Sequence, residues 1–405
     1  MHVAKCLRWC FVGLCVSVAL YGLMDYDIFN SSKTTNSVWQ SNQDVLSYQH
    51  GDSSNENDTD RKLHAYQRQY IQKGDPVNHI AFLKIHKAAS TTIANIFLRY
   101  GIERNLVFAL PRGKGGGGPS LTSRYFFPPP RNETYDISCG HVRYNRDEFS
   151  RVLPNDTMYI EVVREPFSLF QSFINCFYPK NVLDIPGNNP VLDYLSHTEH
   201  HIKYQGYIDL QQMAHEFNMM AIEFGFPEEL FWDRNQTKIQ SYLRKLDKEM
   251  NIVLVVEYFD ESIVLMRRLL NWDLKDILYC KTHVRGYKRK TKSRLQFGSK
   301  EEKLYKERSY LDYALYDFFL HKMKEILKHQ PPDFYEEVAY FRKTRIKTEQ
   351  FCKSTTTDYQ NMNEVLFEGS KWNKPFVINK RFYEHVFESA ALTFKTLINK
   401  TTSPN

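Results

Sequence analysis

The segment "HIAFLKIHKAASTTIANIFLRYG", residues 79–101, constrains the fold of this 405-residue chain more than any other. An apolar run (Ile80, Ala81, Phe82, Leu83) passes through a Lys-His-Lys turn into small residues and hydroxyls. Ile93, Ile96, Phe97 and Tyr100 then recur at spacings of three and four. That pattern predicts a strand, a short basic turn and a helix. The helix N-terminus turns backbone N–H groups and the positive end of its dipole toward the turn, which makes an anion site. A nucleoside-triphosphate loop needs G-x-x-x-x-G-K-[ST], and no such string occurs in the chain.

The same alternation continues along the chain. Strands are expected at His79–Lys84, Asn105–Leu110, Tyr135–Cys139, Thr157–Val163 and Asn251–Glu257, and helices at Thr91–Tyr100, Pro166–Phe177 and Asp260–Asn271. Uninterrupted apolar runs such as "MYIEVV" and "IVLVVEY" suit a parallel sheet covered by helices on both faces. The predicted fold class is therefore α/β, a three-layer sandwich with a central parallel sheet, its ligands beyond the carboxyl ends of the strands. Glu161 is a charged residue inside one apolar run, with no evident reason. Residues 77–348 form the expected catalytic domain, ending in two or three charged amphipathic helices from Glu301 to Thr348, and residues 349–405 form its C-terminal extension. Gly113, Gly115 and Gly118 spell G-x-G-x-x-G, but prolines follow instead of a helix, so a mobile loop near the site is expected there.

The N-terminus bears on the compartment. Trp9–Met24 is apolar and uncharged, with Lys5 and Arg8 before it and Asp25 and Asp27 after it. It reads as a signal anchor whose tail, residues 1–8, faces the cytosol. Residues 25–76 are too polar to bury a core and read as a flexible lumenal stem. Lumenal exposure would suit the glycosylation sequons at Asn57, Asn132, Asn155, Asn235 and Asn399. It would also permit disulfides among Cys139, Cys176, Cys280 and Cys352, which allow three pairings. No zinc pattern of cysteines and histidines is present. Net charge is +7, and "KTHVRGYKRKTKSR", residues 281–294, holds seven Lys or Arg and no acid. This run is either a solvated loop or a partner for a polyanionic ligand.

A second anion site follows from "YIEVVREPFSLFQSFINCFY", residues 159–178. A strand ends in Arg164, Pro166 opens a helix, and Ser172 lies eight residues after the arginine. A forked guanidinium and a hydroxyl can converge on one phosphate. Two anion sites at two strand ends describe a ligand with phosphates at both ends of a ribose.

These residues resemble a known family. "LKIHKAASTT" is similar to the 5′-phosphosulfate loop of sulfotransferases, and "VVREPFSLFQS" to their 3′-phosphate motif. With "GHVRYNRDE" and "EYFDESIVLMRRLLNWDLKDILY", the chain resembles the Golgi galactose-3-O-sulfotransferases, galactosylceramide sulfotransferase among them. The resemblance implies a P-loop-like sulfotransferase fold in a type II Golgi membrane protein. It implies 3′-phosphoadenosine 5′-phosphosulfate as donor, a galactose-terminated glycolipid or glycoprotein as acceptor, and no metal or nucleic acid. Lys87 would contact the phosphosulfate and stabilise the departing phosphate. Ala88, Ala89, Ser90 and Thr91 would cradle the 5′-phosphate, with Ala89 where cytosolic members carry glycine. Arg164 and Ser172 would hold the 3′-phosphate.

A sugar hydroxyl is a poor nucleophile, so a general base is required. His141 matches the base position of the related uronyl 2-O-sulfotransferases, and His86, beside Lys87, is its rival. Arg143, Arg146 and Glu257 are further candidates for acceptor binding. Tyr144, Phe173, Phe177 and Tyr178 are either stacking groups or core. Asp260 and Glu261 are either sugar ligands or first-turn acids. A uronyl 2-O-sulfotransferase and an inactive glycan-binding descendant are the alternatives. A nucleotide kinase is disfavoured by the missing glycine–lysine loop and the lack of a magnesium-binding acid pair.

Overall fold

The computed structural model describes residues 74–112, 117–118, 121, 124–130, 133–177, 182, 185–198, 217–280, 295–353, 363–379 and 382. The strands are β1 (Ile80–Phe82), β2 (Gly117–Gly118), β3 (Ile137–Ser138), β4 (His141–Val142), β5 (Met158–Val163), β6 (Ile252–Val255), β7 (Glu364–Phe367) and β8 (Phe376–Asn379). A four-stranded sheet runs in the order β3-β1-β5-β6. All of its pairs are parallel, with Ile80 opposite both Ile137 and Met158, and Ile160 opposite Ile252. The protein is thus mixed α/β around a parallel sheet, which the runs "MYIEVV" and "IVLVVEY" required. β7 and β8 form a separate antiparallel hairpin.

The helices are α1 (Ser90–Glu103), α2 (Arg146–Val152), α3 (Pro166–Phe177), α4 (Pro190–Ser196), α5 (Met219–Glu223), α6 (Gln236–Glu249), α7 (Phe259–Leu270), α8 (Ser299–Arg308), α9 (Tyr310–Lys328) and α10 (Pro332–Lys353). The charged region after Glu301 resolves into three helices, and α10 runs through residue 348, where the sequence pattern ends the catalytic domain. Val365, Phe367, Ile378 and Phe382 join the main core, so the described residues 363–379 and 382 pack on the same body.

α1 buries Ile93, Ile96, Phe97 and Tyr100. The Tyr100 ring stacks on Trp272 at 3.6 Å, and Phe97 meets the same indole edge-on at 5.7 Å. Each such pair adds about 0.5–1.5 kcal/mol beyond its area burial. Trp272 in turn donates its indole N–H to the Val77 carbonyl at 2.9 Å. The loop that follows β1 therefore grows out of a firmly packed strand and helix.

One expected strand is absent. Asn105–Leu110 forms a turn and then an isolated bridge, Phe108 to Ile137. α1 extends to Glu103, Asn105 takes a left-handed φ of 55°, and the Asp136 carboxylate accepts the Val107 N–H at 2.7 Å in place of a ladder partner. Glu161 lies fully buried in β5, and burial together with nearby Glu249 pushes its carboxyl well above the usual range. No helix among the described residues is long and apolar enough to cross a membrane. The anchor expected at 9–24 and the stem before residue 74 lie outside the described residues.

Candidate functional site

The turn between β1 and α1 is built from alternating backbone conformations. Lys87 and Ala89 both take left-handed φ values, 61° and 54°, on either side of Ala88. Such alternation turns successive N–H groups toward one side and makes an anion-binding concavity. Ala89 is also the N-cap of α1, so the concavity opens on the helix dipole. The loop is braced from within. The Ser90 hydroxyl donates to the Ile85 carbonyl, across the turn.

Arg164, at the end of β5, donates from Nη1 to the Lys87 carbonyl at 2.9 Å. The two expected phosphate elements thus meet through this contact. Arg164 and Ser172 are both buried. Glu165 caps α3 by accepting N–H groups from Phe167 at 2.9 Å and Ser168 at 2.6 Å. Glu257 accepts the Glu165 N–H at 3.0 Å, so it secures this junction between the ends of β5 and β6.

The other half of the site is a cluster of two imidazoles and one carboxylate. The His86 and His141 rings stack at 3.7 Å with 17° between their planes. Glu223 accepts the His86 backbone N–H at 2.8 Å through Oε2 and pairs with His86 Nδ1 through Oε1. On the far side, the Lys84 ammonium contacts His141 Nε2 at 2.8 Å. An ammonium can only donate, so Nε2 of His141 accepts and the proton sits on Nδ1. That Nδ1 lies 3.8 Å from Glu223 Oε1, beyond hydrogen-bonding distance. Burial first, then the charges of Lys84 and His86, pull the His141 imidazole down to about 3. Burial alone would raise the Glu223 carboxyl, but the His86 charge, its hydrogen bond and the nearby His141 ring hold it below the usual range.

Glu223 was not legible in the sequence, where it is one acid in the apolar stretch "NMMAIEFGF". The available signal was the glycine two residues later. Gly225 has φ 70°, and a Cβ there would lie 2.2 Å from the Tyr144 carbonyl oxygen. Tyr144 N–H also donates to the Glu223 carbonyl at 2.8 Å, so this close approach docks α5 against the strand carrying His141. From behind, buried Asp312 of α9 accepts N–H groups from Met220 at 3.1 Å and Ala221 at 2.7 Å. Gly225→Ala is expected to combine about 1–2 kcal/mol of left-handed strain with a backbone clash. Differential scanning fluorimetry should show a Tm lower by several degrees.

Among the described residues, His86, His141 and Glu223 are the group able to approach one cation, their ligand atoms lying within 4.8 Å of one another. Stacked rings hold their lone pairs in two nearly parallel planes, however, which do not meet at one point about 2 Å from both nitrogens as zinc requires. The arrangement suits proton handling better than coordination.

The remaining candidates fall as follows. Arg143 is exposed, and the Arg146 guanidinium lies 4.0 Å over the Tyr159 ring. Asp260 and Glu261 are engaged by Arg342 at 2.9 and 2.7 Å, which makes them structural. Tyr144 is core and donates to Glu249 at 3.0 Å. Gly117–Gly118 pairs in parallel with His141–Val142. Asn155 and Asn235 are exposed, and Asn235 caps α6 by accepting the Lys238 N–H at 3.1 Å. Asn57, Asn132, Asn399, Tyr178 and the basic run 281–294 lie outside the described residues, as does the side chain of Phe177.

Fold and site together define a parallel α/β protein with an anion-type loop at the carboxyl edge of its sheet, faced by a histidine–carboxylate pair. The chain belongs to the galactose-3-O-sulfotransferase family, whose profile matches residues 38–368. It is 31% identical over 307 residues to human galactose-3-O-sulfotransferase 2, covering 72% of each chain. It is 31% identical over 215 residues to human galactosylceramide sulfotransferase, covering 52% of this chain and 49% of that one. Against mouse galactose-3-O-sulfotransferase 3 it is 32% identical over 217 residues, with 51% and 48% covered. The chain thus spans about half the length of galactosylceramide sulfotransferase and of galactose-3-O-sulfotransferase 3.

Proposed function

We propose that the protein is a carbohydrate sulfotransferase that moves the sulfuryl group of 3′-phosphoadenosine 5′-phosphosulfate to O3 of a terminal β-galactose on a glycolipid or glycoprotein. It would act in the Golgi lumen, as a type II membrane protein with a three-layer catalytic domain. The observation that carries this reading is the His86–Glu223 pair standing next to the Lys87 loop, in a chain of this family. In the reaction the sulfur–oxygen bond to the donor's bridging oxygen breaks and a bond from sulfur to O3 forms. The O3 proton goes to an imidazole, and the negative charge develops on the departing phosphate beside Lys87 and the loop N–H groups. Positioning and charge stabilisation dominate such in-line transfers, as in phosphoryl transfer.

The geometry favours His86 over His141 as the base. His141 has its Nε2 engaged by Lys84, and an imidazole held down to about 3 draws a proton weakly. His86 has its Nδ1 on Glu223, which leaves Nε2 to receive the proton, as in a histidine oriented by a buried acid. It also exposes 35% of its side chain, against 22% for His141, so it is the ring an acceptor reaches first. His141 then serves as the stacked neighbour that fixes the plane of His86 and places Lys84.

The test is transfer of labelled sulfate by the full-length protein in detergent. Acceptors would be galactosylceramide, β1,3- and β1,4-galactosides, their 3-deoxy counterparts and desulfated heparan. Label on galactosides and none on the 3-deoxy compounds is the expected result. Label on heparan alone would replace the galactose reading with uronyl 2-O-transfer.

A further inference from the structure

Cys280 follows α7 and immediately precedes the basic run, and Cys352 lies in the last turn of α10. Both are thiols in the structure and both are buried, at 3% and 7% exposure. They belong to the same core: Tyr279, next to Cys280, packs on α10 through the Phe341 ring at 6.2 Å and the Arg345 guanidinium at 5.1 Å, and the Cys280 thiol lies beside that of Cys352. The buried Arg99 guanidinium of α1 lies near both sulfurs and donates to the Asp276 carbonyl, so three elements meet at this point. An S–H group is a weak donor and a sulfur a weak acceptor, so a reduced pair gains little from such a contact. Contact between two thiols in a packed core is, by contrast, the arrangement from which a cystine forms with little rearrangement.

We propose that Cys280 and Cys352 are joined by a disulfide in the mature protein. The inference rests on the reading that the domain faces the lumen. The two S–H groups lose two protons and two electrons to a disulfide of an oxidoreductase or of glutathione, which leaves as two thiols, while the sulfur–sulfur bond forms. The bond closes a long loop from residue 280 to residue 352, the case in which loop-closure entropy contributes most. It fixes the residue before the basic run to the end of α10. Of the three pairings open in the sequence, it selects the one that joins Cys280 to Cys352.

Full-length protein expressed in secretory cells would be alkylated during denaturing lysis and digested with trypsin without reduction. The expected product links "DILYCK", residues 276–281, to "TEQFCK", residues 348–353. Cys280→Ser, Cys352→Ser and the double variant should each lower Tm by a similar amount, roughly 5–10 °C, because either single change already opens the loop. Additive losses would mean two separate packing effects and would overturn the pairing. Glycans at Asn155 or Asn235 in the same digest report lumenal exposure independently. Alkylated Cys280 and Cys352 on a glycosylated chain would overturn the disulfide and leave the lumenal reading intact. The same result on a chain without glycans would overturn both.

Discussion

His86→Asn is expected to lower kcat about 10²- to 10⁴-fold, the usual range for losing a general base. Binding of 3′,5′-ADP, the donor's product, should change little. Asparagine keeps a polar group against Glu223 but cannot take a proton. Glu223→Gln should act in the same direction with a smaller loss, because the amide still fills the space beside both rings but no longer stabilises an imidazolium. It should also displace the acid limb of the kcat profile, which a merely structural glutamate would not do. His141→Asn should cost less than His86→Asn. A ring held down to about 3 stays neutral throughout the working range and contributes no titration of its own there. Steady-state kinetics across pH and calorimetry with the product would separate these outcomes. An equal loss of kcat in His86→Asn and His141→Asn would remove the distinction drawn between them.

The same groups set how stability responds to acid. His141 has a folded value below that of a free imidazole, so the unfolded chain binds the extra proton first. Its contribution is fully present above about pH 6.5 and falls away as pH drops toward 3. Glu223 is held below the ordinary carboxylate range, so its contribution is present above that range and lost as pH falls further. Both act in one direction, and the Tm of the wild-type protein is expected to decline between pH 7 and pH 4. Glu223→Gln should flatten the lower part of that decline.

Elements whose pattern is local were legible in the sequence. The β1–turn–α1 unit carries its apolar run, basic turn and helical spacing within residues 79–101, and β5 with α3 does so within residues 159–178. Asn105–Leu110 misled because strand propensity says nothing about pairing. The segment makes the single bridge Phe108 to Ile137, and the Val107 N–H goes to the Asp136 carboxylate. Glu223 was illegible for a related reason. Its role comes from a contact across 137 residues, and nothing in a five-residue apolar helix signals that its last side chain meets two histidines.

Lys87→Ala should abolish measurable transfer, a loss on the order of 10³-fold or more, because it removes the cation nearest the charge that develops on the departing phosphate. Binding of 3′,5′-ADP should weaken far less, since the N–H groups of the turn and Arg164 remain. The fold should tolerate the change. Alanine already occupies a left-handed position two residues on, at Ala89, so a second one at φ 61° asks nothing new of the backbone. Arg164→Ala should behave oppositely. It removes the donor that holds the Lys87 carbonyl at 2.9 Å, and leaves that buried carbonyl without its guanidinium partner at a cost of about 1–3 kcal/mol. Its Tm should fall and its product binding should be lost together with transfer. Thermal shifts with and without 3′,5′-ADP, beside sulfate transfer, distinguish the two variants. If Lys87→Ala lost product binding as completely as Arg164→Ala, Lys87 would be an anchor for the bound donor and not a stabiliser of the departing phosphate.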